Sequence, residues 1–174
     1  MLTTEDYRVQ ILAEFSNRFL ANHNSLADAY ALIWAIDVYS SLAWFETGRK
    51  GEESKFKDKI EAHCEAFGIV RSASNAIKHI DRNFNNVIVK SLGDITSGSG
   101  PSFHAYFANH GHSEPSIAIT MNWNFDPEAK VYKDGDGKII SAPKSGWKTQ
   151  YLVNLYRPAI DGIESTLSKP DTIR

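Results

Sequence analysis

Arg71, Asn75, Lys78 and Arg82 recur at i, i+4, i+7 and i+11, so a helix through them stacks all four along one narrow arc, with His79 beside them. The chemistry this arc allows is specific. Arg71 presents a planar guanidinium to a phosphate, Lys78 and Arg82 add point charge, and the Asn75 amide both donates and accepts. The His79 imidazole can serve as general acid or base at a phosphodiester. Together these groups neutralise a phosphate and move a proton, the minimum for metal-independent RNA cleavage. Arg71, Asn75 and His79 are the catalytic candidates, and Lys78 and Arg82 the ligand-binding ones; no metal or cofactor is required. The competing reading is a solvated helix face, which commonly carries these residue types.

The segment RSASNAIKH, Arg71 to His79, resembles the Arg-to-His signature of HEPN domains, a superfamily of helical RNases and nucleotide-associated modules. In that family an Arg, usually followed by a polar residue, precedes a His by four to six residues on a late helix. Arg71, Ser72 and His79 match in kind, whereas seven residues intervene here. The resemblance covers residues 4–85, with the last helix as an addition; the strand-like region after residue 86 departs from an all-helical core. It implies a homodimer in which two such faces form one RNA-cleaving cleft, as in a toxin or defence component.

Asp37 is the next candidate. It falls among Ile33, Trp34, Ile36 and Val38, where an ionised carboxylate needs a partner. Arg71, His79 or His63 can supply one, either as a structural ion pair or to orient a site residue. A separate group lies in HAYFANHGHSEP: His110 and His112 share one side of an extended segment, and His104 or Glu114 would complete a metal site. No HExxH helix accompanies it, so a plain polar loop competes with the metal reading. Asp134-Gly135-Asp136-Gly137 imitates the start of a calcium loop, but Lys138 and Ser145 occupy ligand positions. A tight metal-free turn fits better. Three functions therefore compete: an RNA-binding or RNA-cleaving protein, a non-enzymatic module for a nucleotide, other anion or protein partner, and a metal-dependent hydrolase.

The elements that must position these residues follow from the breakers. All six prolines lie at or beyond Pro101 and eight of the 11 glycines beyond residue 90. The front half thus reads as helices and the back half as strands, turns and a terminal helix. Thr3 or Thr4 caps a first helix with a stripe of Ile11, Leu12, Phe15 and Phe19, and Ser25 with Asp28 opens a second that runs to about Glu46. That second helix is apolar almost all round, which places it at the centre, with Trp34 and Trp44 read as core. A third stretch runs from near Ser54 to Arg82 or Asn83, split or kinked at Gly68, with Val70, Ala73, Ile77 and Ile80 as its apolar face. Val87–Leu92, Phe103–Phe107, Ser116–Trp123, Lys130–Lys133 and Lys138–Ser141 read as strands, and Trp147–Leu167 as a helix kinked at Pro158.

The expectation is one α+β domain over residues 1–174. It comprises an antiparallel helical bundle (about 4–83), a strand-rich part with a small antiparallel sheet (about 86–142) and a helix packed on the bundle (about 147–168). The net charge is −2, with 10 basic and 12 acidic residues before residue 88 and nine of each after it. No basic half announces a nucleic-acid binder, so any such surface is local. Cys64 is the only cysteine, which excludes an intramolecular disulfide and agrees with a reducing, cytoplasmic setting. Leu26–Phe45 is long enough to span a membrane, but Asp28 and Asp37 make a buried helix the better reading.

Overall fold

A computed structural model describes residues 3–48, 51–80, 87–97, 116–120, 131–133, 139–141 and 149–168. Arg82, His104, His110, His112, Glu114, Phe103–Phe107, Trp123, Trp147 and the Asp134–Gly137 turn lie outside the described residues. Helices dominate, with a three-stranded antiparallel sheet beside them and a helix near the C-terminus: an α+β fold. No helix among the described residues is long and apolar enough to cross a membrane.

The chain enters through α1 (Thr4–Tyr7), a π-helical turn at Arg8–Leu12, and α2 (Ala13–Ala21). Thr3 caps α1 reciprocally with Asp6, satisfying two orphan backbone donors. The Glu46 carboxylate also reaches this end: it accepts from the Thr4 backbone N–H at 2.6 Å and from the Thr4 hydroxyl. α3 (Leu26–Glu46) begins where Ser25 Oγ accepts from the Asp28 N–H (3.2 Å) and stops before Gly48, whose φ of +80° suits glycine at a helix end. Its inner faces bury Leu32, Ile33, Ile36, Tyr39 and Ala43. It is not covered all round. Trp34 remains 59% exposed, so it is not a core residue.

The third helical stretch is two helices. α4 (Glu53–His63) and α5 (Glu65–His79) meet at Cys64, whose sulfur accepts from the Phe67 N–H (3.4 Å) and caps α5. The break therefore falls at Cys64, not at Gly68, which lies inside α5 against Glu61. A Cβ at Gly68 would stand 2.7 Å from Glu61 Cγ, so glycine is what lets α4 and α5 close there. α5 ends at His79. Ile80 follows with φ +61°, an unusual backbone for a β-branched residue, and is 68% exposed rather than part of an apolar face.

Val87–Leu92 forms no strand. Val87, Ile88 and Val89 are buried in irregular backbone, with the Val89 N–H donating to Ser72 Oγ (2.9 Å). A 3₁₀ turn follows at Leu92–Asp94. β1 (Ile95–Thr96), β2 (Ala118–Thr120) and β5 (Thr149–Tyr151) form the sheet in the order β1-β2-β5, pairing Ile95 with Ile119 and Ala118 with Tyr151. β3 (Val131–Lys133) and β4 (Ile139–Ser141) pair separately, Tyr132 opposite Ile140. The final helix begins later than its spacing predicts, because residues 149–151 join the sheet. α6 (Leu152–Leu167) then runs through Pro158 as one helix.

α6 packs on α5, α3 and α4 through Leu152, Leu155, Ala159 and Ile163. Its approach to Cys64 is close: a Cβ at Gly162 would lie 2.7 Å from Cys64 Sγ, and the thiol donates to the Pro158 carbonyl (3.3 Å). Helix-to-helix packing thus fixes α5 on its apolar side. The polar residues of interest are left on the side facing α3 and α4.

Candidate functional site

Asp37 sits in the middle of α3, 3% exposed, and turns its carboxylate toward α4 and α5. Lys57 Nζ donates to Oδ1 at 2.8 Å, and Lys78 Nζ to Oδ2 at 2.5 Å. The Ser74 hydroxyl donates to Oδ2 at 3.0 Å. Lys57 also pairs with Glu53 at 3.0 Å, and Glu53 accepts from the Ser41 hydroxyl at 2.6 Å. Arg71, His79 and His63 do not hydrogen-bond it, although Arg71 feels its charge; α4 supplies a lysine instead, and α5 supplies Lys78 and Ser74. Burial pushes the Asp37 carboxyl up, but the two ammonium groups, Lys57 foremost, more than reverse it and hold it below its ordinary value.

Arg71 heads a second cluster on the same helix. Its Nη1 lies 2.6 Å from Asp58 Oδ1 and 3.0 Å from Glu61 Oε2, both on α4. Burial disfavours the charged guanidinium, and these carboxylates, Asp58 first, outweigh that and raise its pKa. A cavity of about 190 Å³ opens beside it, lined by Asp58, Glu61, Gly68, Arg71, Ser72, Asn75 and Val87. Among the described residues, both carboxylates meet Arg71 at Nη1, and neither accepts from Nε or Nη2.

The expected arc exists on α5, but it is not a free basic surface. Arg71 and Lys78 each hold carboxylates, and their charge is largely balanced from within. Arg71 and Asn75 share the cavity. His79 does not line it: exposed at the end of α5, it stands eight residues beyond Arg71, about 12 Å along the helix axis. Lys78, its side chain 40% exposed, borders an apolar groove with Tyr30, Ala31, Trp34 and Ile77.

Lys57, Asp58 and Glu61 escaped sequence reasoning because ESKFKDKIEAH reads as an ordinary charged surface helix. The available signal was Gly68, a glycine inside a helix, which marks a close approach by a neighbour. Among the described residues no cluster of three or more His, Cys, Asp or Glu side chains is arranged to hold a metal. No known family model matches this sequence, and neither a characterised protein nor a solved structure shows significant similarity to it.

Proposed function

We propose that this protein is a non-enzymatic binding module for RNA or a nucleotide, using the α5 face. What supports the reading is the alignment of Arg71, Asn75 and Lys78 on one helix, the first two at a cavity and the third partly exposed. Arg71 faces two carboxylates, Asp58 and Glu61, whereas Lys78 shares the single carboxylate of Asp37 with Lys57 and is 40% exposed, so the anionic charge of a ligand falls mainly to Lys78. Arg71 and Asn75 then contribute oriented hydrogen bonds. One or two phosphates engaged in this way give a shallow salt dependence, with a log–log slope of roughly −0.7 to −1.4 for a single strand.

Cleavage within one chain is not favoured, because about 12 Å of helix separates Arg71 from His79 and a single phosphodiester needs both within hydrogen-bond reach. The test is fluorescence polarisation with a labelled single-stranded RNA, in competition with ATP, across a salt series. Lys78→Gln and Asn75→Ala should weaken binding, while His79→Ala spares it and the RNA stays intact on a gel. Lys78→Gln leaves Asp37 bound to Lys57 and Ser74, so the fold survives the test. Absence of binding to either probe at low salt ends the proposal.

A further inference from the structure

Separate from the polar cavity, an apolar groove of about 500 Å³ is lined by Tyr30, Ala31, Trp34, Ile77 and Lys78. Tyr30 and Trp34 are one turn apart on α3 and face the same groove, and the Trp34 indole is 59% exposed. The lining contains one cation and no carboxylate; the acid that pairs with Lys78, Asp37, is buried beneath it. A ligand matched to this surface is flat and apolar on its face and anionic at its edge.

We propose that the groove is a base-stacking platform, in which an unpaired nucleobase lies against Trp34 and Tyr30 while its phosphate meets Lys78. This rests on the nucleic-acid reading and deepens it: the substrate class becomes single-stranded nucleic acid. A duplex keeps its bases stacked on one another and cannot offer a face to the indole, whereas aromatic platforms accept any unpaired base.

The experiment measures tryptophan emission and polarisation with a short oligoadenylate and with the same sequence annealed to its complement. The single strand should quench emission and bind more tightly than the duplex. Trp34→Ala should abolish most of the quench and weaken single-strand binding by roughly 5- to 150-fold, the range of base–aromatic stacking. Trp34→Phe should keep most of the affinity without the quench. Single-strand binding that responds to Lys78→Gln but not to Trp34→Ala overturns the platform and leaves the binding reading standing. No binding by the wild-type chain overturns both. Light scattering supplies the remaining arm: a wild-type dimer that Trp34→Ala converts to monomer, with oligoadenylate affinity unchanged, assigns the groove to a second copy and overturns the platform.

Discussion

The two charged clusters between α4 and α5 are inversions of each other. In one, an anion, Asp37, is held between two cations, and both carboxylate oxygens are used. In the other, a cation, Arg71, is held between two anions through a single nitrogen. Lys57 and Asp58, consecutive on α4, serve opposite clusters. The Asp37 cluster is closed: its acceptors are satisfied and Asp37 and Lys57 lie away from water. The Arg71 cluster opens into a cavity. The buried Asp37–Lys57 pair has no capacity left for a ligand, whereas Arg71 at its cavity and the half-exposed Lys78 at the edge of the Asp37 cluster retain some. This separates the structural part of the α5 face from the part with chemistry left to do.

The sharpest way to break this comparison is Asp37→Ala, which leaves the buried Lys57 with Glu53 alone and removes the carboxylate that Lys78 holds. It should cost about 3–5 kcal/mol in urea unfolding, the usual penalty for orphaning a buried charge. A loss under about 1 kcal/mol would show the cluster to be open after all. Gly68→Ala probes the other side with a smaller expected cost of about 1–3 kcal/mol, because the new methyl pushes on Glu61 at 2.7 Å. Pairing it with Glu61→Ala should relieve the overlap and make the two changes non-additive. Full additivity would mean that the added methyl does not press on Glu61.

The pH dependence of stability distinguishes the clusters further. Asp37 is lowered by the lysines against the upward push of burial, and Glu53 is lowered chiefly by the Ser41 hydroxyl and Lys57. Their stabilisation is therefore complete above about pH 4–4.5, where unfolded carboxylates are ionised, and is lost as pH falls through the depressed folded-state values. Asp37→Asn should flatten this acid limb in denaturation midpoints measured from pH 6 to pH 2. At the alkaline end burial pushes the Tyr7 and Tyr39 phenols up to about 12, so stability declines from about pH 10, where unfolded tyrosine ionises, until about pH 12. Asp37→Asn should leave that limb unchanged. The smallest effect belongs to Ile80→Gly at the end of the α5 face. Relief of the positive φ there should add roughly 1 kcal/mol, read as a rise in Tm.

Local chemistry was legible in the sequence; contacts between helices were not. Thr3 or Thr4, and Ser25 with Asp28, place two helix starts because a cap is decided within four residues; the structure chooses Thr3. The break at Cys64 was hidden because sulfur is a weak acceptor and cysteine is not among the usual capping residues. Thr149–Tyr151 continues a helical spacing, yet pairs with β2, where sheet hydrogen bonds override the local pattern. Asp37 was legible as a carboxylate in need of a partner, but Lys57, 20 residues away on another helix, reaches it only through packing. The apolar circumference of α3 correctly marked it as central. It gave no reason for one tryptophan on that circumference to remain outside.

Cys64 gives the molecule its own stopwatch. Its thiol is pinned to the Pro158 carbonyl, pressed against Gly162 and held protonated by burial, which raises its pKa. Only the thiolate alkylates readily. The partly buried thiol should therefore label more slowly while α6 stays seated than when α6 lifts from the α4–α5 junction, an opening local to that seam. As the single cysteine, it reports that event without competition.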